Sequence, residues 1–159
     1  MTWTAPKTDW SNGDLVTAAD LNAIGENVTA IRNLPKATSA TTEEIVKLLG
    51  DFADVDSANL NLTLSTAGGD VMVHFHGSLK RIGSANWTYA RFDFDIDGTQ
   101  KGGVNGIATV YMTGHFYWSA SFTHLIQDLS PGSHTFNLKW KGDRTVSLAA
   151  GAQFWAREV

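Results

Sequence analysis

The run Trp87-Thr88-Tyr89-Ala90-Arg91-Phe92-Asp93-Phe94-Asp95-Ile96 decides the fold. Phe92, Phe94 and Ile96 alternate with Arg91, Asp93 and Asp95, and a period of two places one set of side chains in a core and the other in water, as on a β-strand. The same alternation recurs on both sides. Upstream, Val71, Val73 and Phe75 alternate with Met72, His74 and His76, and Leu60, Leu62 and Leu64 with Asn61, Thr63 and Ser65. Downstream, strands are expected over 104–112, 115–123, 134–140, 145–149 and 153–158, with Phe116, Trp118 and Phe122 on one side of the second of these. Turn chemistry separates them: Ala67-Gly68-Gly69-Asp70, Asp97-Gly98, Lys101-Gly102-Gly103 and Ser130-Pro131-Gly132-Ser133. About eight strands with no helical segment between them exclude a parallel α/β sheet. The expected class is mainly β, an antiparallel jelly-roll-like β-sandwich over 54–159.

Residues 1–53 read differently, as an attachment and oligomerisation segment. Trp3, Pro6 and Trp10 are spaced by polar residues without period, and Ser11-Asn12-Gly13-Asp14 is a turn, so the start is an extended arm whose tryptophans need a surface to pack on. Thr17 and Asp20 form a capping box, and a helix is expected over 18–34, stopped by Pro35. Its apolar positions Leu21, Ile24, Val28 and Ile31 follow a 3-4-3 spacing, with Leu or Val at a and Ile at d, a combination that leans towards trimers. Residues 36–42 read as a Ser/Thr/Ala linker. Ile45, Leu48, Leu49 and Phe52 then fall at i, i+3, i+4 and i+7, which predicts a second short helix ending near Gly50.

The bulk composition narrows the function. With a net charge of -4 and the two signs interspersed, there is no basic stripe for a phosphate backbone, so nucleic acid is not expected. No stretch approaches the roughly 20 apolar residues of a membrane span, and the N-terminus lacks a signal peptide's charged start and apolar middle. Zero cysteines exclude disulfides, thiolate metal sites and cysteine nucleophiles. Six tryptophans in 159 residues are many, and such side chains concentrate in cores, subunit interfaces and sugar-binding surfaces.

Candidate chemistry is sparse. Asp93-Phe94-Asp95-Ile96-Asp97-Gly98 matches the first half of an EF-hand loop, but the twelfth position is Val104 where a bidentate Glu is required, so these aspartates are expected on the solvated face of a strand that ends in a hairpin turn. His74 and His76 share a strand face without an identifiable third ligand, and His115, His124 and His134 are scattered, so neither metal nor cofactor is expected. No nucleophile elbow, zinc-protease helix or phosphate-binding glycine loop is present, and the chain reads as a non-enzyme. Trp87, Tyr89 and Arg91 should point out of the sandwich, as should Tyr117. Aromatics beside Arg suit a subunit interface or a platform for a sugar ring.

Two places in the chain resemble small phage and prophage virion proteins of the tail-fibre and receptor-binding kind. One is Trp10-Ser11-Asn12-Gly13-Asp14-Leu15-Val16-Thr17-Ala18-Ala19-Asp20-Leu21-Asn22, similar to the arm and helix start of many such proteins. The other comprises Thr66-Ala67-Gly68-Gly69-Asp70-Val71-Met72-Val73, Asp97-Gly98 and Leu129-Ser130-Pro131-Gly132-Ser133-His134-Thr135-Phe136 with Trp140 after it, which looks like the jelly-roll domain at fibre tips. The resemblance implies a homotrimer made in the host cytoplasm and located in the virion, joined to other virion proteins through Trp3 and Trp10, with the β-domain facing a host surface, plausibly glycan. The long shaft of a full fibre is absent, which leaves a capsid decoration or head-fibre protein open, beside a stand-alone carbohydrate-binding lectin-like module.

Overall fold

The computed structural model describes residues 15–32, 34–84 and 86–159. The arm with Trp3 and Trp10, its turn at 11–14, and the side chain of Ile31 lie outside the described residues. The chain divides into two compact units, Met1–Leu34 and Pro35–Val159.

In the first unit, helix α1 spans Ala18–Arg32. Its start is the expected capping box. The Thr17 backbone N–H donates to Asp20 Oδ2 at 2.8 Å, and the Asp20 N–H donates back to Thr17 Oγ1 at 3.2 Å, so two otherwise orphaned donors are satisfied. Leu21, Ile24 and Val28 of the seam are all exposed.

The second unit is a sandwich of two antiparallel six-stranded sheets. Its strands are β1 (Lys36–Ala40), β2 (Ile45–Leu48), β3 (Ala53–Asp54), β4 (Asn61–Thr66), β5 (Gly69–Arg81), β6 (Trp87–Ile96), β7 (Thr99–Gln100), β8 (Ala108–Thr113), β9 (Tyr117–Leu129), β10 (Gly132–Gly142), β11 (Thr145–Leu148) and β12 (Gln153–Glu158). The 13-residue β5 is the spine of the first sheet. Strands β12 and β11 lie end to end along one of its edges, with β1 and β2 outside them, and β9 takes the other edge. In the second sheet β10 is flanked on one edge by β4 and β3 and on the other by β6, which carries β8 and β7 on its far side. Each sheet is therefore four rows wide, and short collinear strands explain why twelve appear where about eight were read.

Between the sheets the inward alternation closes a core of Phe75, Phe92, Phe94, Phe136, Trp140 and Phe154, all fully buried. Phe75 and Phe92 stack across it with centroids 4.9 Å apart. Full burial of such side chains stabilises by about 1.5–3 kcal/mol each.

Three expectations are corrected. Residues 36–42 contain strand β1, paired along its length with β12, where a linker was expected. The segment read as a second helix is strand β2, paired with β11; four residues with a β-branched Ile45-Val46 pair cannot nucleate a helix against a waiting sheet edge. And Asp93 and Asp95 are buried, each among its own partners. The Asp93 carboxylate accepts the Gly102 N–H at 2.8 and 3.0 Å, and Asp95 meets Lys139 Nζ at 2.8 Å and Asn137 Nδ2 at 2.9 Å. Asp97 is exposed, in the expected hairpin turn: Asp97 and Gly98 both have positive φ (52° and 81°), as a two-residue β6–β7 turn requires.

Candidate interaction surfaces

Outward positions of β6 and β8 build the first surface. Trp87, Tyr89 and Arg91 stand on the outer face of the second sheet, as their alternation requires, and the register sets Tyr89 opposite Tyr111, Trp87 opposite Thr113 and Arg91 opposite Thr109. The two tyrosine rings lie 6.4 Å apart, and the Arg91 guanidinium sits 5.1 Å from the Tyr89 ring while its Nη1 donates to Asn105 Oδ1 at 2.9 Å. Tyr117 is not on this face. It pairs with Lys80 on the outer face of the first sheet, where the Lys80 ammonium lies 4.9 Å from its ring.

The first sheet's outer face carries a second arrangement that the sequence did not reveal. The register aligns Thr38, Trp155, His74 and Thr123 in one row across β1, β12, β5 and β9. Trp155 stacks on His74 at 5.0 Å, and His74 Nδ1 lies 2.9 Å from Thr123 Oγ1. Burial, and then the neighbouring His76, hold the His74 pKa below its ordinary value, so the ring is neutral near pH 7. Two shallow hollows, of about 490 and 250 Å³, flank Trp155; one is bordered by Thr38, Ser39 and Gln153, the other by Lys36 and Arg157. Among the described residues, neither is lined by a carboxylate. The four-strand row is legible only once the pairing register is known, because Thr38 and Trp155 are 117 residues apart.

Polar clusters on the second sheet are structural in character. Lys139 bridges Asp54 at 2.6 Å and Asp95 at 2.8 Å. Burial alone would raise the Asp95 pKa, but the bonds from Lys139, Asn137 and the Gly98 N–H outweigh it and hold the carboxyl below its ordinary range. Among the described residues no group of three His, Asp or Glu side chains is placed to hold a metal ion.

No protein-family model and no curated protein matches the sequence. Solved structures do. The chain is similar to Eiger TNF from S. frugiperda, at 7% identity and a TM-score of 0.52, with 79% of this chain and 92% of that one covered. It is also similar to murine APRIL, at 8% identity and a TM-score of 0.49, over 80% of this chain and 100% of that one. The fold is a TNF-like jelly roll. At such identity the likeness to Eiger TNF reaches the architecture of the sandwich and stops there.

Proposed function

We propose that the chain is a homotrimeric structural protein of a phage particle, of the tail-fibre or receptor-binding type, which attaches through its N-terminal segment and turns its sandwich towards a host surface. The observation that carries this reading is the placement of the exposed aromatic side chains on the sandwich. The chain enters the sandwich at Lys36, beside Arg157 and the Val71 end of β5. The exposed aromatics Trp87, Tyr111, Phe116 and Tyr117 all stand towards the opposite end, near Arg81, which is about 33 Å away along β5. A domain held at one end and contacting at the other is the arrangement that an attachment protein needs.

Assembly is supported by the exposed seam of α1, whose Leu21, Ile24 and Val28 are the apolar stripe that a helical partner would cover. Asp93 and Asp95 are held in structural networks, by the Gly102 N–H and by Lys139 and Asn137. A capsid decoration or head-fibre role uses the same parts, and a lectin-like module would use the sandwich without the arm.

Light scattering of the full chain beside a 35–159 chain tests the assembly. The full chain is expected at three times the chain mass. A stable monomer at micromolar concentration sinks the reading.

A further inference from the structure

The exposed aromatic side chains gather at the corner where β8 of one sheet turns into β9 of the other. Trp87 is 56% exposed and Phe116 75%, and Tyr111 and Tyr117 are likewise more than half exposed. Trp87 and Tyr111 are diagonal neighbours on the outer face of the second sheet, and Tyr117 stands on the outer face of the first; bare aromatic surface gathered at one end of a sandwich marks a site that something covers. The corner is also held rigid. Arg81 is buried and donates Nε to the Gly114 carbonyl at 3.2 Å and Nη1 to the Gly83 carbonyl, so one guanidinium ties together the turns on both sides of the aromatic group. Trp118 Nε1 donates to the Thr113 carbonyl at 3.2 Å, which closes the β8–β9 turn. A surface ordered in advance loses little freedom when it binds.

Charge selects the ligand. Lys80, Arg91, Lys141 and Arg144 lie towards this end of the sandwich. Of the carboxylates there, Asp143 accepts from the Thr88 hydroxyl at 2.6 Å and Glu44 from the Ser147 hydroxyl opposite Lys80, and both keep their charge; with Asp51 they leave the four cations in excess. A cationic corner on a chain of net charge -4 is a local feature that favours anions. Three of the four exposed rings carry a hydrogen-bonding group at the rim, the Trp87 indole N–H and the hydroxyls of Tyr111 and Tyr117, and stand on strands, so they present fixed flat faces with polar edges.

We propose that this corner binds an acidic saccharide of a cell-surface polymer. The apolar C–H face of a pyranose ring stacks on Trp87 and Tyr111, and the sugar's carboxylate or sulfate lies against the guanidinium of Arg91, which is positioned by Asn105 and by the Tyr89 ring. Arg81 is a positioning residue that keeps the two turns in place. The inference rests on the reading that the sandwich faces a host surface, and names what it meets there.

The test is binding of the full chain to immobilised polygalacturonate, polysialate and dextran sulfate, with neutral dextran and phosphatidylglycerol vesicles alongside, on samples whose mass has been measured. Saturable binding to at least one acidic polymer and not to dextran is expected, weakened tenfold or more by Trp87→Ala and by Arg91→Gln, with the thermal midpoint unchanged because both side chains project from the surface. Failure of all three acidic polymers, equal binding of dextran, or indifference to both substitutions overturns the assignment. So does vesicle binding that is lost in the same variants, which would make the corner a lipid contact. A trimer that binds none of the polymers sinks the saccharide alone; a monomer sinks the assembly reading independently.

Discussion

His134 is held at both ring nitrogens, with Nδ1 2.7 Å from Asp97 Oδ2 and Nε2 2.9 Å from the Ser130 carbonyl. Both neighbours are acceptors, and only the protonated ring donates at both positions. The bond to Asp97, and then the one to Ser130, raise the His134 pKa above its ordinary 6.5, while the Thr135 N–H and then His134 lower that of Asp97 below 3.8. The contribution of a raised histidine is complete below 6.5 and is lost as pH rises through the folded value; that of a lowered aspartate is complete above 3.8 and is lost as pH falls. The pair therefore stabilises most between about pH 4 and 6.5, by less than about 1 kcal/mol because Asp97 is half exposed. Thermal midpoints of the wild type and His134→Gln should differ most at pH 5 to 6 and converge by pH 9; a constant gap would remove the pair from the account. Gly106 makes a sharper case. Its φ is +68°, and an added Cβ would stand 2.5 Å from the Phe92 carbonyl oxygen, so Gly106→Ala should cost about 2–3 kcal/mol in urea unfolding. Neither effect is legible in sequence: His134 reads as a scattered histidine until Asp97 is brought to it, and Gly106 falls inside the strand expected over 104–112, whereas β8 begins only at Ala108, after a 3-10 turn at Gly103–Asn105 that sets Gly106 against Phe92.

Elements divide by how far their partners lie in the chain. Helix α1 was legible because its signals are local: a cap at Thr17, a carboxylate three residues on, and Pro35 as a stop. Gly25 weakens it. A Cβ at Gly25 meets nothing within 4 Å, so Gly25→Ala should stabilise the helix by roughly 0.5–1 kcal/mol, read as higher ellipticity at 222 nm in the full chain. No gain would mean that the helix is already saturated by packing. Strand β6 was legible to the residue, since ten positions of strict alternation leave one reading. Strand β2 was not, because apolar residues at 45, 48, 49 and 52 fit a helical face as well as a short strand followed by a loop that buries Leu49, and it is pairing with β11 that decides. The aspartates of β6 show the same limit of local pattern: alternation sets Asp93 and Asp95 in register with Arg91, and contacts with Gly102, Lys139 and Asn137, remote in sequence, accompany their burial.

For the molecule as a whole, the two units make the truncation informative about stability as well as mass. If 35–159 holds the core by itself, its thermal midpoint stays near that of the full chain even where the oligomer is lost; a large drop would mean that assembly carries the sandwich's stability. The sequence by itself determined the class of fold, the position of α1 and most strands, and the outward direction of Trp87, Tyr89, Arg91 and Tyr117. These depend on period and on short-range turn chemistry, which a single chain displays in order. Only the tertiary structure decided that Tyr111 joins Tyr89 while Tyr117 belongs to the other sheet, that Trp155 meets His74 and Thr38, and that Arg81 fastens two turns at the aromatic corner. Those are matters of register between strands tens of residues apart. Hydrophobic alternation specifies which face a side chain takes, and the ladder of backbone hydrogen bonds specifies which side chain stands beside it.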